Sequence, residues 1–149
     1  LSMALWSYEK EFKIWNKIAK DWETNLGRKK YIDEGKIIKR INNQTVDTAV
    51  RNAQVVTFLG HKALASNSLT LASEIAHQLL EQNGGKIHIA IIWYQKDDQV
   101  KVRLNSDGKV DVSKLAGNFG DGGGHKASAA FKIKLSDKLP WKVISGKMS

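Results

Sequence analysis

The sequence contains no cysteine and a single proline. Without thiols there is no disulfide framework, no thiolate metal site and no cysteine nucleophile, a composition that fits a reducing compartment, so a cytoplasmic location is expected. Acidic residues are scarce against basic ones: 15 Asp plus Glu face 24 Lys plus Arg, a formal net charge of +9. That excess favours anionic partners such as nucleic acid, nucleotides or polyphosphate and says nothing about the fold. Long apolar runs are also missing. The longest, Ile87 to Tyr94, spans about eight residues and includes His88, far short of the roughly 20 needed to cross a bilayer. No signal-peptide pattern opens the chain, and no membrane association is expected. There is no repeat at a fixed period and no Pro-rich or Gly/Ser-rich linker. What is present, 42% apolar residues in 149, suffices for one folded core.

Leu5, Tyr8, Phe12, Trp15, Ile18, Trp22 and Leu26 recur at steps of three and four, which predicts a helix over about 3–26 with one apolar stripe. Gly27 reads as its C-terminal stop, and Arg28-Lys29-Lys30 as a solvated junction. Residues 1–30 are thus expected to form a helical arm or interdomain linker. A second helix is expected over about 33–53, with Ile37, Ile38, Ile41, Val46, Ala49 and Ala53 inward and a kink or break at Asn42-Asn43-Gln44-Thr45.

From Gln54 the period changes. Val55–Leu59 and Lys62–Ala65, separated by Gly60-His61, read as a hairpin. A helix capped by Asn67 or Ser68 is expected to run to Gln82, where Asn83-Gly84-Gly85 ends it. Strands are expected over 86–94 and 100–105, the first without polar alternation apart from His88 and so covered on both faces. A short helix begins near Asp111, a glycine loop follows, a last strand occupies about 128–135, and Pro140 and Trp141 close the domain. The fold class is α/β: a mixed central sheet with helices on both faces, plus the N-terminal helical arm.

The most distinctive segment is Phe119-Gly120-Asp121-Gly122-Gly123-Gly124-His125-Lys126-Ala127-Ser128. Three successive glycines strip a loop of Cβ atoms and permit positive φ, so their N–H groups can converge on an anion. A flexible turn between helix and strand is the plain alternative. A Walker A loop is excluded because His125 separates Gly124 from Lys126 and Ala127 precedes Ser128. A dinucleotide fingerprint is excluded because His125 stands where glycine is needed.

Val100–Gly108, then Val110-Asp111-Val112-Ser113-Lys114-Leu115-Ala116, then Gly122-Gly123-Gly124-His125-Lys126-Ala127-Ser128-Ala129-Ala130-Phe131 resemble the DHH-associated C-terminal domain of DHH-family phosphoesterases. Ala65-Ser66-Asn67, Ala72–Ala76 and Ala90–Tyr94 stand in the order of that domain, and the resemblance covers about 31–134. That family includes oligoribonucleases, RecJ-like exonucleases, cyclic-dinucleotide phosphodiesterases and exopolyphosphatase-like proteins.

The resemblance implies a substrate-binding domain over 31–149 that partners an N-terminal DHH domain of the same parent protein. There, divalent metals, usually manganese, activate water. This sequence has no Asp-His-His motif, and His61, His77, His88 and His125 are scattered. The expectation is therefore no catalytic residue, metal ligand or cofactor in this chain, with Mn²⁺ implied for the catalytic domain. By resemblance, Gly122, Gly123 and Gly124 offer backbone N–H groups to substrate phosphate, and His125 donates to phosphate or sugar. Asn105-Ser106 stand where relatives often carry Arg-Ser. Ser106 retains a hydroxyl donor, Asn105 lacks the guanidinium, and Arg103, on the same strand face, is the candidate replacement. Asn67 is a candidate substrate contact or an ordinary helix cap.

The implied substrate is a short oligonucleotide or nucleotide phosphodiester, with polyphosphate or pyrophosphate as the alternative within the same reading. Two readings from other classes remain: a free-standing single-stranded nucleic-acid-binding module, and an interaction domain whose N-terminal aromatic stripe mediates docking or homodimerisation.

Overall fold

In a computed structural model, residues 2–145 are described. The chain divides into two compact units, Leu1–Thr45 and Val46–Ser149.

In the first unit, the single helix expected over 3–26 is broken. Helix α1 covers Ser2–Trp6 and α2 covers Phe12–Trp22. Ser7 ends α1, its hydroxyl donating to Ala4 O at 2.7 Å, the local competition that makes serine a poor helix interior. Tyr8 is thereby released to donate to Glu34 at 2.6 Å. Ala4, Ile18 and Tyr31 form the unit's small core, with Leu5, Tyr8, Ile14 and Trp22 against it.

Gly27 does not stop a helix; it lies in the first turn of α3, Asn25–Arg51. The Gly27 N–H donates to Thr24 Oγ1 at 3.0 Å, an N-cap bond. A Cβ at Gly27 would meet Asp21 O at 2.0 Å, so the glycine serves the close approach of two helix ends. Arg28-Lys29-Lys30 belongs to the same helix, with Lys29 paired to Asp33 at 2.6 Å. The expected break at Asn42–Thr45 is absent, and the Thr45 hydroxyl donates to Ile41 O within the helix. Ile37 and Ile41 are exposed rather than inward, and the stripe reaches a core only from Val46, through Val50, to Ala53.

The second unit is built on a seven-stranded sheet. Its strands are β1 Gln54–Phe58, β2 His61–Asn67, β3 Ile89–Lys96, β4 Gln99–Ser106, β5 Gly123–His125, β6 Ser128–Lys134 and β7 Trp141–Ser145, in the order β5-β6-β4-β3-β2-β1-β7. β1 and β2 form the expected hairpin, closed by Leu59 and Gly60, both at positive φ, as a two-residue turn requires. Helix α4, Ala72–Gln82, carries the chain from β2 to β3, which pair parallel. β3 lies at the centre, its first four residues buried, as the unbroken apolar run implies. The remaining pairs are antiparallel.

Val46 and Val50 of α3 and Ile75, Ala76 and Leu79 of α4 cover one face over Leu64, Ala90 and Ile92. The other face packs Val112 and Ala116 of α5, Val112–Ala116, over Phe58, Ile91, Val102, Leu104 and Phe131. The class is α/β, with a mixed sheet and helices on both faces. Two elements differ from expectation. Trp141 does not end the domain but is 8% exposed and opens the edge strand β7, paired with β1. The glycine segment is not loop throughout, because 123–125 pair with β6. No helix among the described residues is long and apolar enough to cross a membrane.

Candidate phosphate-binding face

Strand alternation sorts the candidate residues onto the two faces of the sheet. In β4, Val100, Val102 and Leu104 enter the core beside α5, so Lys101, Arg103 and Asn105 take the opposite face. Residues directly opposite in an antiparallel pair share a face. Asn105 stands opposite Ser128, and Ser128 opposite His125; Arg103 stands opposite Ala130, and Ala130 opposite Gly123. One face of β5, β6 and β4 therefore carries the row His125–Ser128–Asn105, with Gly123–Ala130–Arg103 two residues further along.

Each member is held by local chemistry. The two-residue connection Lys126-Ala127 folds β5 back onto β6 and is pinned to the β4–α5 segment, where Ser106 N donates to Ala127 O and Val112 N to Lys126 O. Asp111 caps α5 by accepting from Ser113 N at 3.1 Å and from its hydroxyl. The Ser113 hydroxyl bond, with its backbone N–H, holds the Asp111 carboxyl below the usual carboxylate range. Arg103 donates to Ser73 Oγ in α4 at 3.1 Å, which directs the guanidinium along the sheet face. Asn105 Oδ1 is buried without a hydrogen-bond partner among the described residues, a state polar atoms seldom keep. The His125 side chain is exposed, with no partner among the described residues.

The three glycines do different things. A Cβ on Gly122 would meet Ala116 O at 2.0 Å, and the Gly122 N–H donates to Phe119 O at 2.7 Å, so it seats the segment against α5 and its own N–H is taken. Gly124, at φ +148°, lies so close to β6 that a Cβ would meet Ser128 O and Ala129 Cα at 2.6 Å. Gly123 faces open space. Asp121, a carboxylate beside the glycines, is paired with Lys132 at 3.7 Å.

Two candidates are not brought to this face. Ser106 has the opposite parity in β4; its hydroxyl donates to Val110 O at 2.7 Å and accepts from Gly108 N, which makes it the organiser of the β4–α5 turn. Asn67 is opposite Trp93 and donates to Trp93 O at 2.9 Å, tying β2 to β3. It does not cap α4, whose N-cap is Leu71 at φ +56° without a side-chain bond. Sequence reasoning missed Ser128 and Ser73. The two-residue spacing between His125 and Ser128 was the available signal for the first; the second is a contact across 30 positions that no local pattern carries.

Among the described residues no group of three or more His, Cys, Asp or Glu is placed to hold a metal ion. His88 instead pairs with Asp107 at 2.7 Å. The face offers hydrogen-bond donors and cations to an anion.

The family model described as the DHHA1 domain matches residues 52–141. No curated protein matches significantly. Among solved structures, an uncharacterised protein from Helicobacter pylori G27 is 19% identical with a TM-score of 0.51, over 81% of this chain and 39% of that one. PggH, a pGpG-specific phosphodiesterase from Vibrio cholerae, is 14% identical with a TM-score of 0.52, over 72% of this chain and 38% of its own. At such identities the likeness is one of fold. The chain spans about two fifths of the length of these structures.

Proposed function

Because the chain belongs to the DHHA1 domain family, we propose that it is the substrate-binding part of a manganese-dependent DHH-family phosphoesterase that hydrolyses phosphodiester bonds of short oligonucleotides or nucleotides. DHHA1 domains usually accompany a DHH catalytic domain in the same protein. The metal and the activated water belong, in this reading, to that partner domain, and the present chain positions the scissile phosphate against it.

The observation that carries the reading is the row His125–Ser128–Asn105 with Arg103 beside it. An exposed imidazole, a hydroxyl, an amide oxygen without a partner and a guanidinium share one sheet face. Imidazole, hydroxyl and guanidinium donate to phosphate, and the Asn105 amide N–H₂ is a further donor. Arg103 supplies the charge that Asn105 lacks.

Binding of labelled di-, tri- and decanucleotides to the chain and to His125→Ala, at two salt concentrations and with polyphosphate as competitor, tests it. The expected result is binding of the short strands, lost in His125→Ala, with a salt slope of one or two phosphates at about 0.7 each. Affinity that grows steadily with length and ignores His125 would overturn the proposal in favour of non-specific strand binding. Polyphosphate that displaces dinucleotide at equal phosphate concentration would move the substrate class to phosphoanhydrides.

A further inference from the structure

His88 and Asp107 stand just beyond the His125–Ser128–Asn105 row. Asn105 is opposite Ala90, and the next pair, Ser106 and Ile89, takes the other face, Ser106 bonded to Val110 O and Ile89 in the core beside α5. His88 and Asp107 follow in the same register, one residue past each strand, and they meet: His88 Nδ1 lies 2.7 Å from Asp107 Oδ2. The alternation that puts Asn105 on the phosphate-binding face therefore carries Asp107 and His88 onto it as well. Two residues along a strand span about 7 Å, the reach of a sugar attached to a phosphate held at Asn105.

The imidazole is fixed from both sides. Asn83, the C-cap of α4, donates to Leu79 O and Leu80 O and accepts from Lys86 N and Ile87 N, which clamps the two residues before His88. Asp107 is fixed in turn, its Oδ1 accepting from Lys109 N at 3.1 Å. The bond from His88, with the Lys109 N–H, holds this carboxyl below its ordinary value, so it is an ionised acceptor. An ionised carboxylate only accepts, so His88 Nδ1 carries the hydrogen. In the neutral imidazole Nε2 then keeps its lone pair, an acceptor without a partner among the described residues. The side chain is 29% exposed and open to a ligand.

The two neighbouring rows offer different chemistry. His125, Ser128 and Arg103 present donors and a cation, which suit phosphate. Beyond them the Asp107 carboxylate repels a second phosphate, whereas a hydroxyl is uncharged and can give its hydrogen to Nε2.

We propose that His88, held by Asp107, forms a sugar subsite: Nε2 accepts from the 2′-hydroxyl of the ribose next to the phosphate on the His125 row. The 2′-hydroxyl is what separates RNA from DNA at a given site, so the subsite makes this domain prefer ribonucleotides to deoxyribonucleotides. Asp107 is a positioning residue that sets the tautomer. The subsite presupposes the phosphate-binding role of the His125 row.

The test is equilibrium binding, in mildly alkaline buffer, of 5′-phosphorylated diadenylate and its 2′-deoxy counterpart to the 149-residue chain and to His88→Phe, His88→Gln, Asp107→Asn and His125→Ala. Thermal unfolding checks that each variant folds. One hydrogen bond predicts a ribo-to-deoxyribo affinity ratio of about three to ten in the parent chain, falling to about one in His88→Phe. Gln, whose side-chain oxygen reaches the place of Nε2, is expected to keep part of the ratio. Asp107→Asn is expected to lose most of it, because its amide can donate to Nδ1 and leave the hydrogen on Nε2. A packing role for His88 would change both ligands alike, as His125→Ala is expected to do. A ratio near one in the parent chain, or one that survives Asp107→Asn and a folded His88→Phe, with His125→Ala still weakening both ligands, overturns the subsite and leaves the phosphate-binding reading in place. If His88→Phe unfolds, a ratio that survives Asp107→Asn overturns it. Binding of both ligands that ignores His125 overturns the phosphate-binding reading and the subsite with it.

Discussion

Gly124 lies so close to Ala129 that a Cβ built on it would sit 2.6 Å from the Ala129 Cα. The strands β5 and β6 thus meet at a distance no other residue permits, and Gly124 also holds φ +148°. Gly124→Ala is expected to destabilise the chain by about 2–3 kcal/mol from the strained backbone and displaced strand together. Thermal unfolding should show a Tm lowered by roughly 5–10 °C. Gly123→Ala, into open space, is expected to shift Tm far less, and equal losses at both positions would contradict this division of roles.

Trp141 joins the far edge of the sheet to its core, 6.5 Å from Phe58 and 6.0 Å from Trp93 between ring centres. Removing it leaves an aromatic cluster open on one side. Trp141→Ala is expected to cost about 3–5 kcal/mol, measurable as a shift in urea midpoint. A loss below about 1 kcal/mol would mean that β7 is not part of the cooperative unit.

Two phenols of the N-terminal unit resist ionisation. The Tyr8 hydrogen bond to Glu34, helped by burial, pushes its pKa up to about 12, and burial followed by the bond to Asp21 pushes Tyr31 to about 12. A phenol ionises more readily once unfolded, so this contribution to stability is complete below pH 10 and is lost as pH rises towards 12. Titration of phenolate absorbance should show a component near pH 12 that disappears in the Tyr8→Phe/Tyr31→Phe double variant. Its persistence would contradict the assignment.

At the opposite end of the pH scale, the hydrogen bond from His88, with the Lys109 N–H, holds the Asp107 carboxyl below its ordinary value of 3.8. A depressed carboxyl stabilises the fold above the unfolded value, and the effect is lost as pH falls through the folded one. The stability advantage of the wild-type chain over Asp107→Asn should therefore be lost as acidification takes the pH below 3.8. An advantage independent of pH would assign the pair a purely steric role.

What the sequence made legible is what short-range chemistry decides. The β1–β2 hairpin follows from β-branched runs about a tight turn, α5 from the Asp111 cap, and the two-faced burial of β3 from its unbroken apolar run. The departures come from partners distant in sequence or from backbone proximity. Gly27 has the composition of a helix stop, yet the carbonyl of Asp21 decides its place. Trp141 after proline reads as an exit, and only pairing with β1, more than 80 positions earlier, makes it a strand. The site divides the same way. Arg103 and Asn105 on one face follow from a period of two. That Ser106 is spent on Val110 and Asn67 on Trp93 depends on where loops return, which no spacing shows.

The central claim is that phosphate is held on the His125 row, and chemical-shift mapping of backbone amides with a 5′-phosphorylated dinucleotide tests it most directly. The account predicts shifts concentrated on Arg103, Asn105, Gly123 to His125 and Ser128, absent in His125→Ala. Shifts concentrated instead on the exposed Trp6, Phe12 and Leu26 of the N-terminal unit, unchanged in that variant, would contradict it.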